Sequence, residues 1–300
     1  MVFKPVGFNE KTLITMVTIQ LTNGFGNNLF QYIAAKLLAD HHRKALYVQS
    51  PPWFRFQKQA KIIALNQLGL PVVRQPWFRK KSIYVNEALY LDAFDAQYQN
   101  KNLILNGYFE DYRYFLPHIN TIRSWFLPVK AREDRDLVIH MRFGDRLFYR
   151  DHYTDDGHPV VGFDQYQQAI ESFMFDRLHI VTDMPIWKPI TISDLKKMRF
   201  HMNPVPEIPL EQAVAGFNQI VNGFSRYNPM IHQGQSVVDD FNTIRSFKQI
   251  LFQHGTMAWW AAVLSQADRV GVYGPWRLFK GNNNKNLSQM PLKGWFQWGK

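Results

Sequence analysis

The 300-residue chain contains no cysteine, which excludes disulfides and thiolate-bound metals and is compatible with a reducing compartment. No run approaches the ~20 uninterrupted apolar residues that a membrane-spanning helix needs. Residues Met1 to Thr15 lack the basic start, apolar centre and small-residue cleavage site of a secretory signal, and read as a polar lead before the first strand. A cytoplasmic location is therefore expected. There is no internal repeat and no long segment too poor in apolar residues to fold. With 46% hydrophobic residues, the chain can fill one large core or two of about 150 residues each.

Positive charge is in excess, at a formal +11. The basic residues are spread along the chain, with one modest cluster at Arg74, Arg79, Lys80 and Lys81, and no recognisable nucleic-acid module accompanies them. No nucleic-acid partner is expected. A positive cleft for an anionic diphosphate or an acidic glycan makes use of the same charge. Tryptophan and tyrosine are abundant and their faces stack on sugar rings, although most of these side chains belong to the core.

The pattern along the chain alternates strand and helix. Val17 to Leu21 is β-rich, Thr22 to Asn28 is a Gly/Asn loop, Leu29 to His41 has helical spacing, and Ala45 to Val48 is again strand-like. Such a unit starts a parallel α/β sheet. A further strand is expected at Asn102 to Leu105. Pro117 to Asp136, with Pro128 and the charged stretch from Lys130, reads as a boundary that gives domains of 16–135 and 136–300. In the second, strands are expected at Leu137 to His140, Leu178 to Val181, Gln249 to Phe252 and Arg269 to Tyr273. Helices are expected at Phe163 to Phe173, Ser193 to Met198 (Ser193 as N-cap), Val238 to Ser246 and Met257 to Leu264.

Four segments carry the chemistry. Asn23-Gly24-Phe25-Gly26-Asn27-Asn28 lies between strand and helix, where glycines permit close backbone approach and a helix N-terminus offers free N–H groups to an anion. It has neither the GxGxxG spacing nor the lysine of a phosphate-binding P-loop, and without a ligand it reads as a tight turn with an Asn cap. His140-Met141-Arg142-Phe143-Gly144-Asp145 lies at the C-terminal end of a strand, the edge where open α/β sheets bind ligands. Arg142 can grip a diphosphate in bidentate fashion, His140 can donate to a phosphate or ribose oxygen, and Asp145 can orient the arginine or take a proton. The bland alternative is a buried histidine and an Arg–Asp pair bracing a turn. Thr182-Asp183 ends another strand at the same edge.

The last segment runs from Asp239 to Trp260. There a strand feeds through His254-Gly255-Thr256 and Met257 into a helix, presenting a hydroxyl and N–H groups to a phosphate. Asp240 can accept paired N–H donors from a guanine edge. Helix caps are the bland readings of Asp240 and Thr256, and core is the reading of Trp259 and Trp260. Metal sites find no support: His41-His42 and the acidic trio Asp151, Asp155 and Asp156 form no coherent ligand pattern.

Taken in order, these segments resemble the alpha-1,2-fucosyltransferases (glycosyltransferase family 11), within the wider HxRxxD group that includes the alpha-1,6- and protein O-fucosyltransferases. The family's Gly-Gly-Leu-Gly-Asn-x-x-Phe-Gln-Tyr segment is similar to Asn23 through Tyr32, and its HxRRGD block to His140, Arg142, Gly144 and Asp145. Its Ser-Thr-Asp-Asp strand end is similar to Thr182-Asp183, and its Ser-Ser-Phe-Ser-Trp-Trp-Ala-Ala block to Gly255 through Ala262. The resemblance covers residues 17 to about 276. It implies a GT-B fold of two Rossmann-like α/β domains facing a cleft, acceptor contacts from the first and the nucleotide in the second. It also implies transfer of L-fucose from GDP-fucose to a glycan hydroxyl with inversion, without metal or other cofactor, by an unanchored bacterial or viral type of enzyme.

Four positions depart from the pattern. Phe143 stands for the second arginine, Met184 for the second aspartate, and Gly255 and Thr256 for serines, all expected on the donor side. Asp145 and Asp151 are the candidates for the base that deprotonates the acceptor. Two other readings stay open: a same-fold transferase of another GDP-sugar such as mannose or rhamnose, and an inactive glycan-binding protein.

Overall fold

The structure, a computed structural model, describes residues 15–22, 24–49, 55–73, 81–148, 161–198, 208–253, 255–274 and 290–299, with only the backbone for 55–59, 61, 145 and 148. Asn23, Asp151, Asp155, Asp156, His254 and most of the basic cluster (Arg74, Arg79 and Lys80) lie outside the described residues. The chain divides into two compact α/β units. The first comprises Met1–Gly24, Asn28–Asn66 and Leu70–Phe109; the second comprises Phe25–Asn27, Gln67–Gly69 and Glu110–Lys300.

The first unit is built on four parallel strands: β1 (Met16–Gln20), β2 (Ala45–Gln49), β3 (Ser82–Val85) and β4 (Asn102–Leu105), in the order β2-β1-β4-β3. Helix α1 (Phe25–His41) makes the crossover from β1 to β2, and α2 (Arg55–Gln67) follows. Val17, Ile19, Leu103 and Leu105 of the strands and Leu29, Phe30, Ile33 and Leu38 of α1 are all buried. Each such side chain contributes about 1.5–3 kcal/mol on burial. Helix α1 starts four residues before the expected Leu29. Gly26, Asn27 and Asn28 are poor helix formers, but contacts from elsewhere in the chain hold them in its first turn.

The second unit holds six parallel strands: β5 (Leu137–Met141), β6 (Leu178–Thr182), β7 (Met230–His232), β8 (Gln249–Phe252), β9 (Arg269–Tyr273) and β10 (Trp295–Trp298). Their order is β10-β9-β8-β5-β6-β7. Counting from β5, this is the 3-2-1-4-5-6 order of a doubly wound dinucleotide-binding sheet, so the winding reverses between β5 and β8. The strands read as continuous apolar runs because both faces are covered, and β5 and β6 are buried throughout.

The other helices are α3 (Ile119–Trp125), α4 (Phe163–Ile170), α5 (Ile192–Lys197), α6 (Leu210–Ser225), α7 (Val237–Ser246) and α8 (Thr256–Leu264). Among the described residues no helix is long and apolar enough to cross a membrane. Helix α8 is apolar on all sides, with the rings of Trp259 and Trp260 packed edge to face at 4.9 Å and fully buried. The N-cap of α5 is Thr191, not the expected Ser193, because Thr191 and Asp194 complete a reciprocal capping box.

Residues 110–135, expected with the first domain, belong to the second unit. The Arg123 guanidinium donates to the Val263 carbonyl at the end of α8, Phe115 packs on Trp260, and Arg245 donates to the Leu127 carbonyl.

Candidate functional site

The C-terminal edge of the second unit's sheet gathers most of the candidate residues. In the ladder His140 lies opposite Phe252 of β8 and Val181 of β6, and Met141 opposite Thr182. Gly255, the N-cap of α8, adopts φ +138, which favours glycine, and a Cβ built there would stand 3.5 Å from the His140 ring. The imidazole and the β8–α8 turn thus meet at the point where the winding reverses. Burial holds the His140 pKa down at about 3, with the neighbouring Arg142 charge adding to the effect, so the ring is neutral at working pH. Its Nδ1 is buried without a hydrogen-bond partner.

Arg142 follows directly, with its side chain exposed at this edge. Beyond it, Asp183 accepts a hydrogen bond from the Phe143 N–H at 2.8 Å. A Cβ on Gly144 (φ +28) would lie 2.6 Å from its other oxygen, so this carboxylate braces the loop after β5. Thr182 is buried, and its hydroxyl accepts the Met184 N–H. Asp145 lies in the 3-10 turn Gly144–Phe148.

Two of the four departures expected on the donor side, Phe143 and Met184, face the core instead. Phe143 is 1% exposed and packs edge to face on Phe217 at 5.2 Å, and Met184 is fully buried. Both Arg142 and Phe143 lie just beyond β5, where Arg142 is exposed and Phe143 is buried.

Helix α7 contributes Asp240. The cap of this helix is Ser236 in a box with Asp239, so Asp240 is not the cap. Its Oδ1 is buried and unpartnered, and burial, then Asp239, then Asp183, push its pKa up to about 6. A carboxyl with a raised folded pKa contributes stability that is full below the unfolded value of 3.8 and is lost as pH rises towards 6. Asp240→Asn is therefore expected to raise the thermal midpoint above pH 6 and to converge with wild type below pH 4. Scanning calorimetry across that range checks it; a variant less stable than wild type at pH 8 would contradict this account.

The first turn of α1 reaches the same edge. Its N-cap, Gly24, makes no side-chain cap bond, and no asparagine caps it. Instead a Cβ on Gly26 would overlap the Met257 nitrogen and Thr256 Oγ1, and Phe25 packs edge to face on Phe241 of α7 at 5.6 Å. The Thr256 hydroxyl donates to Asn27 Oδ1 at 2.9 Å, and Asn27 Nδ2 donates to Glu110 Oε1 at 2.8 Å. Glu110 is fully buried and had no distinguishing mark in the sequence; only its burial beside a candidate site singles it out.

The edge therefore offers an exposed guanidinium, the N–H groups opening α8, a neutral imidazole and a half-buried carboxyl whose Oδ1 is buried and unpartnered. That set suits an anion joined to a hydrogen-bond donor. Among the described residues no three His, Asp or Glu side chains group to hold a metal ion.

No protein-family model matches the chain, and no curated protein matches it in sequence. Solved structures similar in chain path include a mutant of Arabidopsis thaliana FUT1 in complex with GDP, at 11% identity and TM-score 0.45, covering 92% of this chain and 73% of that one. The iron-containing dodecameric glycosyltransferase TibC of enterotoxigenic E. coli is 12% identical with a TM-score of 0.40, covering 90% and 63%. The fucosyltransferase NodZ from Bradyrhizobium is 10% identical with a TM-score of 0.39, covering 86% and 96%.

Proposed function

We propose that the protein is an inverting, GDP-sugar-dependent glycosyltransferase of the GT-B kind that moves L-fucose from GDP-fucose to a glycan hydroxyl. The observation that carries the reading is the meeting of the His140 ring and the Gly255 turn, with Arg142 two residues beyond His140, where the winding of a dinucleotide-type sheet reverses. The segments that resemble the fucosyltransferases are the ones that converge there.

In this reading the diphosphate lies between Arg142 and the N-terminus of α8. As the acceptor oxygen attacks the anomeric carbon and the bond to the β-phosphate breaks, negative charge grows on the leaving GDP. Fixed donors aimed at that charge lower the barrier. The neutral His140 has one ring N–H to give a phosphate or ribose oxygen. Asp240 accepts from the guanine edge, and the acceptor's proton goes to Asp145 or Asp151. Guanine N–H donors favour the ionised form of Asp240, so GDP affinity should rise with pH through about 6 and Asp240→Asn should flatten the profile.

Because protein groups neutralise the diphosphate, EDTA is expected to leave turnover intact; loss of activity restored by Mn²⁺ would overturn this part of the reading. The whole proposal is tested by GDP release from GDP-fucose and from GDP-mannose, each with and without glycan acceptors. Turnover only with GDP-mannose would reassign the sugar. Binding without turnover of any GDP-sugar would point to a glycan-binding protein.

A further inference from the structure

The Thr256–Asn27–Glu110 chain has a direction. Asn27 Nδ2 donates to Glu110 Oε1, so the NH₂ end of the Asn27 amide faces Glu110. The amide oxygen then faces Thr256, and a threonine has a single hydroxyl proton, which is given to that oxygen. A phosphoryl oxygen is itself an acceptor, so this hydroxyl has no proton left to offer it. The N–H groups at the start of α8 do. All three side chains are in the second unit; Glu110 is fully buried, Thr256 is 7% exposed and Asn27 is half-buried.

We propose that Glu110 is a positioning residue of the donor site. By setting the Asn27 amide it commits the Thr256 proton inward, holds the first turn of α1 on α8, and leaves the donor phosphates to the backbone N–H groups of α8. This rests on the reading that a nucleoside diphosphate occupies the β8–α8 turn.

The test is GDP affinity by calorimetry between pH 5 and 8, with thermal midpoints in parallel. Asn27→Asp sets a second carboxylate against Glu110, and two such groups share a proton. Affinity is expected to fall about tenfold at pH 8 and to recover towards pH 5, where one carboxyl donates to the other; this slope is opposite to that of the wild type. Adding Glu110→Gln supplies an N–H donor to the new carboxylate, which should abolish that slope and restore most of the affinity. Thr256→Val, isosteric and without a hydroxyl, should weaken GDP binding less than about fivefold.

A loss on the order of 10²-fold in Thr256→Val would mean that the hydroxyl donates to phosphate directly, and would overturn the proposal even if Asn27→Asp fails to fold. So would an Asn27→Asp profile parallel to that of the wild type. Wild-type protein that binds no GDP would overturn the donor reading itself, and this proposal with it.

Discussion

Arg142→Ala is expected to cut turnover with GDP-fucose by on the order of 10²-fold or more. The guanidinium is exposed at the sheet edge, where its removal leaves the core intact, so the thermal midpoint should barely change. The loss should fall on kcat more than on GDP affinity, because the charge that Arg142 meets is greatest in the transition state. Arg142→Lys should recover little, since an ammonium point charge does not reproduce two parallel N–H donors in a plane. Near-normal turnover in the alanine variant would remove Arg142 from the mechanism. A matching collapse in stability would make it a structural residue.

Gly26→Ala is the second large effect, and its sign is informative. In a solvent-exposed helix, Gly→Ala stabilises by roughly 0.5–1 kcal/mol. At Gly26 the added methyl would run into the backbone of Thr256 and Met257 as well as Thr256 Oγ1, and backbone atoms at a helix start have little room to give. Overpacking of this kind costs about 1–3 kcal/mol, so the midpoint should drop instead of rise. The methyl would also push the Phe25–Asn27 turn away from the start of α8 and crowd the Met257 N–H, so GDP affinity should fall at least about tenfold. Gly216→Ala in α6, where a Cβ meets open space, is the contrast and should be neutral or stabilising. A Gly26→Ala protein more stable than wild type would show that the close approach of the two helix starts does not exist in solution.

Some elements were hidden in the sequence for identifiable reasons. Strand β7 is three residues long and carries no alternation to detect. Helix α6 buries Ala213, Phe217, Ile220, Val221 and Phe224 at helical spacing, but Gly216 and Gly223 interrupt its appearance; Gly223 is the place where Phe163 of α4 packs. Phe143 looked like a lost ligand because it stands within a motif that includes His140 and Arg142, whereas its ring packs on Phe217 in the core.

The sequence by itself determined the α/β class, since its apolar runs alternate with helical periodicity. It also placed most of the second unit's strands to within a residue, because strands buried on both faces must be continuously apolar. It put His140, Arg142, Thr182, Gly255 and Thr256 at strand ends, as local patterning can. Only the tertiary structure decided the strand order, and with it the reversal between β5 and β8 that brings those ends together. It also decided what Asp240, Thr256 and Asn27 do, since each could have been a local cap and none is. Asn27 and Thr256, 229 residues apart, share a hydrogen bond, and Glu110 joins them. No local pattern reveals such a contact, because its partners are set by how parallel strands are ordered and not by the residues that precede or follow them in the chain.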